Sequence, residues 1–383
     1  MKIFITYPTD LQYSIILGLY NCLAKNGMDV LVWNRTTKRY FTNNEYIFRD
    51  NISFLKKLQY IKSLRYLFLF RSFLYLFVSK GLKGIDILNY QCHDRECDML
   101  IPFLNKRKVN LIISIWGSDL YRISEKTRKK RQILYDKVNL IHVESPVVRK
   151  DFLFKYHIDE NKVFVCNFGI DLFENIDRFR EQKEIIKRNL LPGIAQNRIV
   201  VTCGYNARQG QQHKVMINQL RQLPLEYKKK LFIVFPLTYS APNDSVLDVV
   251  YNYLSNLDIP YCCFTEQLDL ESLAKLRVIS DIVINIQITD SLSTSLLEYF
   301  YAGNIMLLGE WLPYHFLIDQ CGMSYIPVSV KDIADKIQLL ISHYKEEKKL
   351  ALKNVEKTYS LASWDSVSCR FVNMFEKMYK DRC

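Results

Sequence analysis

The stretch Ile286-Gln-Ile-Thr-Asp-Ser-Leu-Ser-Thr-Ser-Leu-Leu-Glu-Tyr-Phe-Tyr-Ala-Gly303 concentrates side chains that can bind anions and hydroxyls. Asp281-Ile-Val-Ile-Asn-Ile286 before it reads as a buried strand. Thr289, Asp290, Ser291, Ser293, Thr294 and Ser295 form a polar turn, and Leu296, Leu297, Tyr299 and Phe300 then give a short helical pattern that Gly303 stops. A helix start offers free N–H groups and the positive end of the dipole, which suit a phosphate or diphosphate. Glu298 stands roughly one and a half turns in, where its carboxylate can accept bonds from sugar hydroxyls. The alternative is that Ser293 or Ser295 only caps a helix and Glu298 faces solvent. A second strand–loop–helix entry, Gly204-Tyr-Asn-Ala-Arg208-Gln-Gly-Gln-Gln-His213-Lys214, joins glycine to basic residues and also fits phosphate binding.

The elements that must position these residues repeat along the chain. Lys2–Pro8 and Asp29–Trp33 read as strands around a helix at 11–25, a βαβ unit that predicts a parallel sheet. Thr9-Asp10 can cap that helix, and the loop Tyr7–Asp10 falls at the carboxyl edge of the sheet, where open α/β sheets bind ligands. Further strands are expected at 87–90, 109–115, 139–143, 162–166, 198–202, 259–265, 281–287, 304–309 and 325–327. His93, just past the strand 87–90, is a catalytic candidate or a structural histidine. After 109–115 comes Trp116-Gly-Ser-Asp119, where Ser118 or Asp119 can cap a helix. Residues 174–197 read as a charged, partly helical connection between two domains.

The 383 residues suffice for two domains of ordinary size. Half the residues are hydrophobic and 24% are charged, which permits a packed core and argues against wholesale disorder. The net charge of +13 favours an anionic partner. The ten cysteines form no paired Cys-x2-Cys sets, and several lie in apolar runs; reduced thiols and a cytoplasmic setting are expected. Pro8 and Asp10 interrupt the first apolar run too early for a signal peptide, and no stretch of 18 uncharged apolar residues predicts a membrane span. No metal-ligand spacing stands out.

Residues 51–84 carry seven basic side chains and no acidic one. Lys56, Lys57, Lys62, Arg65 and Arg71 alternate with Phe, Tyr and Leu, the composition of helices that lie on anionic lipid. The other reading, a pair of helices that cover the sheet with solvated lysines outside, stays open. The basic run Lys126 to Arg131 adds to the positive surface of the same half.

Asp290-x7-Glu298 in a strand–turn–helix ending Ala-Gly resembles the Glu-x7-Glu motif of GT-B glycosyltransferases, the large family that includes lipopolysaccharide and capsule transferases. Trp116-Gly-Ser-Asp119 resembles the family's His-Gly-x-Asp, with Trp116 in place of the histidine. Asn167-Phe-Gly-Ile-Asp171 resembles its segment at the end of the first domain, and Ser363-Trp-Asp-Ser-Val367 its closing segment. The loop 204–213 is similar to that of bacterial 4-acetamido-4,6-dideoxygalactose transferases. The resemblance implies an α/β GT-B fold, two Rossmann-like domains with parallel sheets facing a cleft. It places an acceptor-binding domain at 1–175, with 363–380 packing back on it, and a nucleotide-sugar domain at 176–362.

It also implies a metal-independent glycosyltransferase of bacterial surface polysaccharide synthesis (O-antigen, capsule). The donor is a nucleotide diphosphate sugar held by Gly204, Arg208, His213, Asp290, Ser291, Ser293, Thr294, Ser295 and Glu298. The acceptor is a lipid-linked or growing saccharide, the enzyme sits peripherally on the inner face of the cell membrane, and nucleic acid is not a partner. Asp119, His93 and Asp10, in that order, are the candidates for a base if the reaction inverts; a retaining reaction needs none. Two other functions fit parts of the sequence: a sugar-nucleotide 2-epimerase of the same fold, and a non-enzymatic basic protein binding membrane or nucleic acid.

Overall fold

The computed structural model describes residues 1–8, 13–34, 40–41, 84–104, 109–191, 193–195, 197–238 and 244–380. The chain divides into two compact units, one of Met1–Gly169 with Trp364–Cys383 and one of Ile170–Ser363. The boundary therefore precedes the expected 175/176. The helix Leu172–Arg180 belongs with the second unit because Phe173 stacks on Tyr301 at 3.9 Å and Arg178 pairs with Glu271.

The first unit holds a sheet of β1 (Lys2–Tyr7), β2 (Asp29–Asn34), β3 (Tyr40–Phe41), β4 (Ile87–Gln91), β5 (Asn110–Ile115), β6 (Leu140–Val143) and β7 (Val163–Val165). Its order is β3-β2-β1-β4-β5-β6-β7, parallel except for the short edge strand β3, which pairs antiparallel to β2 and which the sequence pattern does not announce. The strands are buried on both faces, as helix-covered parallel sheets require. One face packs on the helices Arg95–Leu104, Glu125–Tyr135 and Pro146–Lys155. The other packs on Tyr13–Lys25 and Trp364–Lys380, whose Val367, Phe371, Met374, Phe375 and Met378 are buried against Ile3, Ile5 and Val30. Trp364 enters where two glycines leave room. A Cβ on Gly18 would come within 2.4 Å of its ring and one on Gly169 within 2.1 Å.

The second unit holds β8 (Ile199–Cys203), β9 (Leu231–Pro236), β10 (Tyr261–Phe264), β11 (Ile282–Asn285), β12 (Ile305–Gly309) and β13 (Ile326–Val328). All its pairs are parallel, in the order β10-β9-β8-β11-β12-β13. The chain thus builds outward from β8 to β10, then restarts at β11 on the other side of β8. The loops leaving β8 and β11 lie side by side at that switch point, where open α/β sheets bind ligands.

Candidate functional site

Gly204 turns the chain out of β8 with φ +69°, a left-handed conformation that suits glycine, and its N–H donates to Ile284 of β11 at 2.9 Å. Asn206 Oδ1 accepts from Arg208 N–H at 2.9 Å and tightens the loop. Gln212, also left-handed at φ +61°, leads into the helix His213–Arg221. The β11 side is tied to the same loop. Ile288 N–H donates to Gly210 O at 2.9 Å, and Gln287 Oε1 accepts from Gln211 Nε2 and the Tyr205 hydroxyl, both at 3.1 Å. The indole of Trp311 donates to Gln287 O at 2.9 Å. The two loops form one braced surface.

His213 occupies the first turn of its helix, 4% exposed, with Nε2 buried and unpartnered. That nitrogen lies 3.2 Å from where a Cβ on Gly204 would stand. Asn285, the last residue of β11, also keeps its amide nitrogen buried and unpartnered. Such groups cost about 1–3 kcal/mol each when nothing answers them, so their retention at a switch point argues for a polar ligand. Burial pulls the His213 pKa down to about 4, so the ring is neutral at neutral pH. The first turn of the helix carries no acidic residue, and Arg208 and Lys214 stand exposed on the same loop and turn.

The helix Thr294–Tyr301 opens on a cap: Ser293 Oγ accepts from Leu296 N–H at 3.3 Å. Asp290 accepts from Ser293 N–H at 3.2 Å and from the Tyr314 hydroxyl. Burial pushes the Asp290 pKa up, against those hydrogen bonds. Its carboxylate shapes the turn, while Ser291, Ser293, Thr294 and Ser295 stay partly exposed around it. Glu298 does not face solvent. It is 7% exposed, and its Oε2 accepts from Arg277 Nε at 3.0 Å and Nη2 at 2.9 Å. Arg277, 2% exposed, also reaches Ser295 Oγ at 3.4 Å and lies over the Tyr299 ring. Sequence reasoning missed Arg277 and Tyr314. The signal for Arg277 was a lone charge in the apolar run Leu276-Arg-Val-Ile279.

In the first unit, Asp10, Lys56, Lys57, Lys62, Arg65 and Arg71 lie outside the described residues. His93 and Asp119 come together, but face inward. His93 is 1% exposed, with Nδ1 on the Tyr135 hydroxyl at 2.8 Å and Nε2 on Asp98 Oδ1 at 2.9 Å. Burial lowers its pKa, and the Asp98 hydrogen bond only partly opposes this. The Asp119 oxygens accept from the backbone N–H groups of His93 at 2.8 Å and Trp116 at 2.9 Å, and burial raises its pKa. Arg131 completes the knot, donating to Asp119 O at 2.8 Å, to His93 O and to Asp98 Oδ1. Here His93 and Asp119 lock the loops after β4 and β5 rather than presenting a base. Among the described residues, no three His, Cys, Asp or Glu side chains gather as a metal site would need.

No family model matches the chain, and no curated protein matches it by sequence. Solved structures do match its fold over nearly its whole length. The sucrose-phosphate synthase of Thermosynechococcus elongatus superposes with a TM-score of 0.74 at 14% identity, covering 100% of both chains. The Anabaena protein HepE, in complex with UDP and glucose, gives 0.68 at 11% identity, covering 98% of this chain and 100% of that one. The UDP-GlcNAc 2-epimerase of Neisseria meningitidis, bound to UDP-GlcNAc, gives 0.61 at 15% identity over the same shares. With two parallel α/β sheets and neighbours of this kind, the chain has the GT-B fold.

Proposed function

We propose that the protein is a glycosyltransferase that moves a sugar from a nucleotide diphosphate sugar to a saccharide acceptor. The observation that carries this is the braced pair of loops after β8 and β11, with the buried, unanswered His213 Nε2 at a helix start. The diphosphate takes the N–H groups of that first turn, with Arg208 adding charge from the loop. As the bond from the sugar carbon to the diphosphate oxygen breaks, its electron pair goes to that oxygen, while the acceptor hydroxyl oxygen bonds to the carbon and its proton passes to the departing diphosphate or to water. On this reading the neutral imidazole and the helix terminus stabilise the charge, and no metal is needed. The fold neighbours in complex with UDP, UDP with glucose, or UDP-GlcNAc support a uridine nucleotide as the first donor to try.

The biological setting we propose is bacterial surface polysaccharide synthesis, such as lipopolysaccharide O-antigen or capsule. The acceptor is lipid-linked, and the basic aromatic stretch 51–84 holds the enzyme on an anionic membrane face in the cytoplasm. The test is thermal unfolding against UDP, GDP, dTDP and CMP, with and without magnesium. A ligand at about 100 times its dissociation constant adds roughly 2.7 kcal/mol. A shift with one diphosphate that survives chelator supports the reading; no shift with any, in folded protein, overturns it. The epimerase neighbour favours a second reading, 2-epimerisation of the sugar nucleotide. Incubation with donor alone separates the two, since only an epimerase changes it.

A further inference from the structure

Trp116 sits just past β5, at the carboxyl edge of the first sheet, and its ring is fixed from several sides. The indole N–H donates to Gln91 Oε1 at 3.1 Å, and the backbone N–H is held by Asp119. Gln91 is itself braced by a buried polar chain: Gln91 Nε2 to Asn89 Oδ1, Asn89 Nδ2 to Ser114 Oγ at 3.2 Å, and His142 Nδ1 to the same Ser114 Oγ at 3.1 Å. The far nitrogen of His142 lies 2.8 Å from Cys166 O. The Trp116 ring stacks on Phe168 at 5.2 Å and 25°, and Phe168 stacks in turn on Phe371 at 5.4 Å and 21°. Phe168 is buried, whereas Trp116 stays partly exposed. Beside Gln91, Cys92 adopts φ +69°, a left-handed conformation uncommon for residues other than glycine.

This arrangement has a chemical meaning. The polar atom of the indole is satisfied by Gln91 and one face of the ring is taken by Phe168, so what stays partly exposed is apolar aromatic surface. His93 and Asp119, the ionisable neighbours, are also turned inward, so neither charge is directed to the edge. A rigid neutral aromatic face with negative π density suits the polarised C–H face of a pyranose. It does not suit a phosphate.

We infer that Trp116 is the stacking platform of a saccharide subsite on the first unit, which binds a pyranose of the acceptor. The inference rests on the transferase reading for the word acceptor, but its test does not use the nucleotide. Protein labelled with 15N-tryptophan is titrated with the methyl pyranosides of glucose, galactose, mannose, N-acetylglucosamine and rhamnose. The Trp116 indole signal is assigned by its loss in Trp116→Phe. The expected result is that at least one pyranoside moves that signal at millimolar concentration. Trp116→Phe should keep binding within about three-fold, while Trp116→Leu, which fills the slot without a π face, weakens it about ten-fold. Circular dichroism melts of both variants check that they remain folded.

If no pyranoside moves the signal, with or without UDP, the inference fails even when the nucleotide shift is normal. Equal affinity in Trp116→Leu, read from ligand-observed saturation transfer, overturns it too. Geranyl phosphate moving the signal while no sugar does replaces the saccharide with a lipid and overturns the assignment. A pyranoside effect in protein that binds no nucleotide keeps the subsite and sinks the transferase reading instead.

Discussion

Arg277 and Glu298 hold each other inside the second unit, and the worth of the pair depends on both being present. Breaking a buried pair by removing one partner strands the other charge. Arg277→Met is expected to cost about 3–5 kcal/mol in urea unfolding, and adding Glu298→Leu to recover much of it. If the single variant is as stable as the parent, the pair is not buried as described. His213 gives a different signature. Its folded pKa is depressed to about 4, below the ordinary 6.5 of the unfolded chain. Between those values the unfolded state binds more protons, so stability is full above pH 6.5 and falls as the pH drops towards 4, by about 3 kcal/mol. His213→Gln should lose that part of the acid slope. His142, which burial also pulls to about 4, contributes equally to both proteins and cancels in the difference. An unchanged slope would show that His213 is not the buried neutral group. Bound diphosphate should favour the charged ring and lift its pKa.

At the scale of elements, the strands were legible because each is a short apolar run between polar turns. Ile282-Val-Ile-Asn285 lies in such a run, and it is buried throughout. The two polar loops that leave β8 and β11 were legible from their composition as well. The orientation of side chains was not. His93 and Asp119 look alike whether they face a ligand or a knot, and Arg131, which decides it, stands in a basic run that reads as a solvated face. Tyr314 reaches Asp290 across 24 residues, a separation that no local pattern encodes. The glycines around Trp364 were equally silent, since room for a ring is visible only in three dimensions. Gly169→Ala would place a Cβ 2.1 Å from that ring and should destabilise the first unit by about 1–3 kcal/mol or more. Differential scanning calorimetry would show it; a parent-like melt means that the ring is free to move aside.

For the whole molecule, the excess of 13 positive charges bears on where the protein works. Among the described residues no helix is long and apolar enough to cross a membrane. On the proposed reading, vesicles containing anionic lipid should carry the protein upward in flotation, and binding should fade with salt as the Debye length shrinks from about 10 Å at 0.1 M to about 3 Å at 1 M. Neutralising Lys56, Lys57, Lys62 and Arg65 together should release it. Flotation that survives this change would move the contact elsewhere on the surface.

The division of the chain also bears on its synthesis. The second unit is one continuous segment, whereas the first is made of the opening 169 residues and a helix translated some 200 residues later. At about 5–20 residues per second, the ribosome needs roughly 10–40 s to cover that distance. Throughout that interval Ile3, Ile5 and Val30 lack the Val367, Phe371 and Phe375 that cover them in the finished protein. The nascent first sheet is therefore a natural client for a holding chaperone, whereas every residue of the second unit has been made once Ser363 is added. A ribosome stalled before Trp364 would leave a complete second unit fused to an uncovered first one.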